Sequence, residues 1–221
     1  MSLFEGRDLI CQRGDRLVFA GLDFALPAGG ALLLLGANGS GKSSLLRLMA
    51  GLAKPAGGEL LWEGTPVAAD LEAHHGRLQF VGHLDAVKPV LSVAENLAFW
   101  AGLRDGGKAR VEDALERLGL SELAPLPARL LSAGQRRRLA LARLLVAPAA
   151  LWLLDEPTVG LDRDSVARLT EAIGEHQDRG GRVVIATHLP LSLADTIELS
   201  IDAFAVAPAA DGLDDAAWAT G

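Results

Sequence analysis

A chain of 221 residues, half of them hydrophobic, is long enough for a sizeable buried core and reads as globular rather than disordered. Its net charge of −7 speaks against a nucleic-acid surface, and its one cysteine, Cys11, excludes an internal disulfide and suits a reducing cytosol. The start, MSLFEGRDLI, lacks the basic and apolar regions of a signal peptide, and the longest apolar run, Leu144 to Leu154, is broken by Pro148 and falls short of the ~20 residues that span a bilayer. The chain is therefore expected to span no membrane by itself, which leaves it free to bind an integral partner. No internal repeat and no metal-ligand cluster is evident.

Residues 1 to 30 alternate loosely at Leu9, Cys11, Leu17, Phe19, Leu22, Phe24 and Leu26, with breaks at Arg13-Gly14-Asp15 and Pro27-Ala28-Gly29-Gly30, and read as short antiparallel strands. Leu32 to Leu35 reads as a strand buried on both faces. It runs into Gly36-Ala37-Asn38-Gly39-Ser40-Gly41-Lys42-Ser43, a match to G-x-x-x-x-G-K-[ST], with Ser44 just beyond. Gly36, Gly39 and Gly41 allow positive φ and close approach to a ligand. Their N–H groups and the next helix N-terminus form an anion nest. Lys42 adds a charge for the β- and γ-phosphates, and Ser43 a hydroxyl for Mg²⁺. A Gly/Ser hairpin would match the pattern too, but here strand, loop and helix come in the required order. The chain is expected to bind a nucleoside triphosphate.

Ser43 to Ala50 reads as that helix, ended by Gly51 with Pro55 beyond. Strands follow at Glu59 to Gly64 and Leu78 to Gly82. A helix over Val93 to Leu103 carries a capping box at Ser92 and Glu95. Asp105-Gly106-Gly107 links it to a second helix, Lys108 to Leu118, which ends at Gly119. Residues 86 to 125 are thus an all-helical insert, closed by Pro125 and Pro127; with a third helix, Ala133 to Val146, the helical part extends to about residue 145. Leu151 to Leu154 is a buried strand, Arg163 to Gln177 a helix ended by Gly180-Gly181, Arg182 to Ala186 a strand, and Leu199 to Val206 a last strand. Alternating strands and helices predict an α/β fold with a mainly parallel core sheet, in one unit over residues 1–207 with a loose tail at 208–221.

Leu151-Trp152-Leu153-Leu154-Asp155-Glu156 places two carboxylates at the C-terminal end of a buried strand, where ligands bind in open α/β sheets. Asp155 is expected to hold Mg²⁺ and Glu156 to act as general base toward water. Leu131-Ser132-Ala133-Gly134-Gln135 opens the third helix. Ser132 and Gln135 make an S-x-x-Q capping box, and a capped helix N-terminus is itself an anion site.

LSAGQ resembles the LSGGQ signature of ABC-type ATPases. The order GANGSGKS, LSAGQ, LWLLDE, Val159-Gly160-Leu161-Asp162 and Thr187-His188 resembles the whole ABC nucleotide-binding domain from about residue 3 to 206. The resemblance implies a P-loop core with an antiparallel β part and the helical insert. It also implies a homodimer formed head to tail on ATP binding, with ATP between one phosphate loop and the other subunit's signature. Ser132 and Gly134, with Gln135, would then meet the γ-phosphate in trans, Asp162 would belong to the loop that couples the sites, and His188 would hydrogen-bond the γ-phosphate. Two departures stand out. His83 occupies the usual Gln position, which meets Mg²⁺ and the membrane partner. The aromatic that stacks on adenine is missing: the chain has no Tyr, and Arg13 lies there, with Phe19 a second candidate. A guanidinium can stack on a base plane, with loose base selectivity. Arg136-Arg137-Arg138 reads as a solvated helix face.

Val81-Gly82-His83, Lys88 and Leu91 to Leu97 (LSVAENL), LSAGQRRRLALARL, ALWLLDEPTVGLD and Glu59-Leu60-Leu61-Trp62 resemble the ATP-binding subunits of bacterial cytochrome c maturation (haem export) systems. Within that subfamily both departures become agreements. The resemblance implies integral membrane subunits as partners, a place on the cytoplasmic face of the inner membrane, and hydrolysis that releases haem-loaded chaperone. The alternatives are the motor of another ABC exporter or importer, a soluble ABC ATPase, which would usually carry two ATPase domains or a long coiled-coil insert, and a P-loop kinase, which would lack LSAGQ and the Asp-Glu pair.

Overall fold

The computed structural model describes residues 2–103, 108–147, 149–188 and 193–206. β1 (Leu3–Arg13) and β2 (Arg16–Pro27) pair antiparallel, and β3 (Ala31–Leu35) leads through the glycine-rich loop into α1 (Lys42–Met49). β4 (Gly57–Trp62), β5 (Thr65–Pro66), α2 (Leu71–Gly76) and β6 (Leu78–Val81) follow. Then come α3 (Val93–Gly102), α4 (Lys108–Arg117), α5 (Ala133–Val146), β7 (Leu151–Asp155), α6 (Arg163–Asp178), β8 (Arg182–Ala186) and β9 (Thr196–Ser200). An antiparallel sheet has the order β2-β1-β4-β5, and a parallel sheet the order β6-β7-β8-β3-β9.

The strands of the parallel sheet divide their side chains between two cores. Ala31, Leu33, Trp152, Leu154, Val183 and Ile185 face a core built with α3, α4, α5 and α6. Leu32, Leu34, Leu151, Leu153, Val184 and Ala186 face a second core shared with α1 and the antiparallel sheet. Each buried Leu or Val contributes roughly 1.5–3 kcal/mol of transfer free energy. A slip of one residue would exchange the two sets, so the register is fixed from both sides. The expected two-sided burial of Leu32 to Leu35 is met for the first three, which are at most 4% exposed, whereas Leu35 at the strand end is only partly buried.

Both predicted capping boxes form. Ser92 and Glu95 cap α3, and Ser132 and Gln135 cap α5. Besides the two-residue β5, two elements differ from the sequence reading. α2 was not anticipated; Asp70 caps it by accepting from Ala73 N at 2.9 Å, and with His74 its one buried residue it has no apolar period to read. The last strand is β9 rather than Leu199 to Val206. β9 is an edge strand with a half-exposed face, and the apolar run at Ile201–Phe204 is a 3₁₀ turn that buries Ile201 and returns Asp202 to the glycine-rich loop. The linker 105–107, Pro148 and the tail 208–221 lie outside the described residues. Among the described residues no helix is long and apolar enough to cross a membrane.

His176 of α6 stacks on Trp152 of β7, with ring centroids 3.9 Å apart and planes within 3°. Burial pushes its pKa down to about 4; its hydrogen bond to the Arg182 carbonyl opposes the shift, and the nearby Arg179 charge adds to it. The folded chain therefore refuses a proton that the unfolded chain takes near pH 6.5. The associated stability is complete above about pH 6.5 and is lost as pH falls toward 4, by up to about 3 kcal/mol. In denaturant melts across that window, His176→Phe should keep the stack and show a shallower acid slope than wild type. Equal slopes would assign the proton uptake to other groups.

Candidate functional site

The end of β3 and the start of α1 build the loop. Gly36, Gly39 and Gly41 all have positive φ, at 145°, 82° and 111°. At Gly41 the requirement is spatial as well: a Cβ would lie 2.7 Å from Val18 Cγ1 and 3.2 Å from Phe19 Cδ1. The α1 first turn carries no carboxylate, so its positive end is left for an anion. Lys42 is only 7% exposed. Its Nζ donates to the Gly36 carbonyl at 2.7 Å and the Ala37 carbonyl at 3.0 Å. An ammonium has three donors, so one remains for a ligand oxygen. Asp202 accepts from Ala37 N at 3.2 Å and holds the outer side of the loop.

β7 brings Asp155 to this loop, where Ser43 Oγ donates to Asp155 Oδ1 at 3.1 Å. A hydroxyl and a carboxylate facing each other are hard oxygen donors of the kind Mg²⁺ takes alongside phosphate oxygens. Glu156 follows with φ 47°, a left-handed conformation that costs a non-glycine residue about 1–3 kcal/mol. Its N–H donates to the Ala186 carbonyl at 2.8 Å. His188, two residues past β8, places Nδ1 3.0 Å from Glu156 Oε2. Among the described residues the buried Oε2 has no hydrogen-bond donor, and the His188 contact is a close approach rather than an aligned hydrogen bond. Asn38, Gly39, Gly41, Lys42, Ser43, Ser44, His83, Asp155, Glu156 and His188 all line one open cleft of ≈ 560 Å³.

Arg13, Arg16 and Val18 also line the cleft. Arg13 and Arg16 face each other across the β1–β2 turn. Arg16 was missed in the sequence; its signal was the hairpin break at Gly14-Asp15, which makes the flanking arginines neighbours. Phe19 is corrected: it is 0% exposed and packs in the core, so it offers no face to a base.

Ser132, Gly134, Gln135 and Asp162 do not line the cleft. Ser132 and Gln135 cap α5 through Ser132 N to Gln135 Oε1 at 2.8 Å and Gln135 N to Ser132 Oγ at 3.2 Å. A Cβ on Gly134 would lie 2.9 Å from the Gly160 carbonyl, whereas Ala133 is exposed, so alanine fits at the first of these two positions and not at the second. Asp162 caps α6 by accepting from Ser165 N at 2.7 Å, and its hydrogen bonds with Ser165 hold its carboxyl below the usual carboxylate range.

The arginine triplet is not a solvated face. Arg136 donates to the Leu131 carbonyl, and Arg138 donates to the carbonyls of Leu118 and Gly119 past the end of α4. Arg137 is 6% exposed, beneath the β7 end. The helix turns the middle residue of three inward, and a run of like charges hides that in the sequence.

The ABC transporter family profile matches residues 19–159. The chain is 56% identical over 207 residues to the cytochrome c biogenesis ATP-binding export protein CcmA of Rhodospirillum rubrum, covering 94% of this chain and 89% of that one. It is 57% identical over 211 residues to the protein of the same name from Paramagnetospirillum magneticum, covering 93% and 97%. A putative ABC transporter ATP-binding protein from Pyrococcus furiosus superposes with a TM-score of 0.81 at 28% identity, over 93% of this chain and 100% of that one. The glycine-rich loop, the Asp155-Glu156 strand end and the capped signature helix thus stand on the fold of a protein family, and the chain belongs to that family, the ATP-binding proteins of ABC transporters.

Proposed function

We propose that this chain is the ATP-hydrolysing motor subunit of an ABC transporter complex for cytochrome c biogenesis. The observation that carries the hydrolytic reading is the convergence of Lys42, the Ser43–Asp155 pair and the Glu156–His188 pair in one cleft. The β- and γ-phosphates would lie on the loop N–H groups, with Lys42 as their counter-charge. Ser43 and Asp155, with His83 beside them, would hold Mg²⁺, which would neutralise charge on the phosphates. Glu156 would take the proton of the attacking water, and His188 would donate to the γ-phosphate. Arg13, with Arg16 opposite, would stack on the base plane.

The exposed signature supports a homodimer. Ser132, Gly134, Gln135 and Asp162 sit outside their own chain's cleft, so a second copy docked head to tail on ATP would supply them. Relatives named for cytochrome c biogenesis export support integral membrane subunits as partners, a peripheral place on the cytoplasmic face of the inner membrane, and haem or haem-loaded chaperone as what hydrolysis releases. Motor function for a different ABC exporter or importer is the second reading.

Glu156→Gln should retain ATP binding and lose at least ~10² in turnover, because only the base is removed. Equal turnover would dismiss Glu156 as the base. Lys42→Ala should weaken nucleotide binding itself in equilibrium titrations, and unchanged affinity would refute the phosphate assignment. Affinity capture of the chain from mildly solubilised host membranes should recover cytochrome c maturation membrane subunits and haem absorbance. Capture of a different permease would keep the hydrolytic mechanism and discard the haem reading.

A further inference from the structure

Arg137 of α5 donates to three main-chain carbonyls beside the cleft. Its Nη2 donates to the Asp155 carbonyl at 2.7 Å and to the Glu156 carbonyl at 2.9 Å. Its Nη1 donates to the Gly82 carbonyl at 2.9 Å and to Asp85 Oδ1 at 3.2 Å. Gly82 and Asp85 bracket His83, so one buried guanidinium grips both the residue proposed as base and the loop that brings His83 to the cleft. The grip begins five residues after Ser132, on the helix that the signature opens. Arg143, on the same helix, donates to Phe80 O at 3.1 Å and Asp85 O at 3.4 Å, so α5 holds this loop at two heights.

Glu156 needs such a grip. It is a non-glycine residue at φ 47°, and that conformation persists only where the surroundings over-determine it. Its N–H is held by Ala186 from β8, and its carbonyl by Arg137 from α5. The two bonds fix the Glu156 main chain from opposite sides, and so fix where its carboxylate points. A planar guanidinium can reach four acceptors at once, whereas a lysine ammonium is a point charge with three donors and no fork.

We propose that Arg137 is the positioning residue of Glu156: it aims the carboxylate and makes the His83 loop, α5 and Glu156 move as one piece. This rests on the hydrolytic reading above. It predicts that removing the guanidinium harms the chemical step far more than nucleotide binding measured without Mg²⁺, because its contacts are with Asp155, Glu156 and the His83 loop and not with the phosphate loop.

The test is steady-state ATP hydrolysis by the full chain with Arg137→Ala, Arg137→Lys and Arg137→Met, alongside nucleotide affinity without Mg²⁺ and thermal melts. The expected result is a fall in kcat of about 10²-fold for Arg137→Ala and Arg137→Met, with KM and nucleotide affinity within about threefold of wild type. Arg137→Lys, which keeps the charge and the buried stem, should fold like wild type and still lose most of the turnover. Low-millimolar guanidinium should restore part of the kcat of Arg137→Ala and none of that of Glu156→Gln. Losses in His83→Ala/Arg137→Lys should be less than multiplicative. Wild-type kcat in Arg137→Lys and Arg137→Met would overturn the assignment alone, as would losses that track nucleotide affinity and melting temperature without guanidinium rescue. Fully multiplicative losses with His83→Ala would overturn the link to that loop. A wild-type chain with no Glu156-dependent hydrolysis would overturn the hydrolytic reading and this assignment together.

Discussion

The structure depends on a parallel sheet that is buried on both faces. Because β3, β7 and β8 alternate their side chains between two cores, none of them can slide without moving apolar groups from one core to the other. Their C-terminal ends are therefore fixed relative to one another. The glycine-rich loop leaves β3, Asp155 and Glu156 leave β7, and His188 follows β8. Ser43 Oγ meets Asp155 Oδ1 at 3.1 Å because of where two hydrophobic cores set two strand ends. The chemistry is polar, and its geometry is set by apolar packing.

Charge in this region follows a second constraint. The carbonyls at the end of β7 point into the space between the sheet and α5, where water is scarce, and an unpaired buried carbonyl is costly. α5 answers with buried arginines. Arg137 satisfies the carbonyls of Asp155, Glu156 and Gly82, and Arg143 that of Phe80. Burial pulls the Arg143 pKa down to about 10, which still leaves it charged at neutral pH, and its guanidinium lies 3.9 Å from the Trp100 ring centroid. A cation among carbonyls and one aromatic face is desolvated yet not unpaired. The helical part is thereby bound to the sheet through directed bonds at the cleft and through apolar contact elsewhere.

Much of this was legible in the sequence, and the physical reason differs by element. The glycine-rich loop could be read because its function imposes a fixed spacing of residues without Cβ. The two capping boxes could be read because a cap is a local bargain between residues three apart. β7 and β8 announced themselves by unbroken apolar runs. What stayed hidden depended on long-range contact. Arg137 looks like its neighbours Arg136 and Arg138 until the helix phase and the position of residue 82 are known. Phe19 looked like a base-stacking aromatic, but β2 turns it into the core. α2 is six residues held by a cap at Asp70, too short and too polar for periodicity to report. The end of β9 was misread because an edge strand with one half-exposed face has no clean alternation.

The placement of the signature outside the cleft bears on the proposed head-to-tail dimer. Ser132 caps α5, and neither it nor Gly134 lines the cleft of its own chain. The Gly134 main chain packs against Gly160, and Gly160 lies on the loop between Glu156 and Asp162. The signature thus lies against the loop that follows Glu156 in the same chain. Arg137 adds a second connection from the same helix. An anion bound at the α5 N-terminus by a second copy would press on an element that already holds Glu156. In such an arrangement each site would be assembled by its neighbour's ligand, and hydrolysis at one would be sensed at the other without any contact between the two nucleotides.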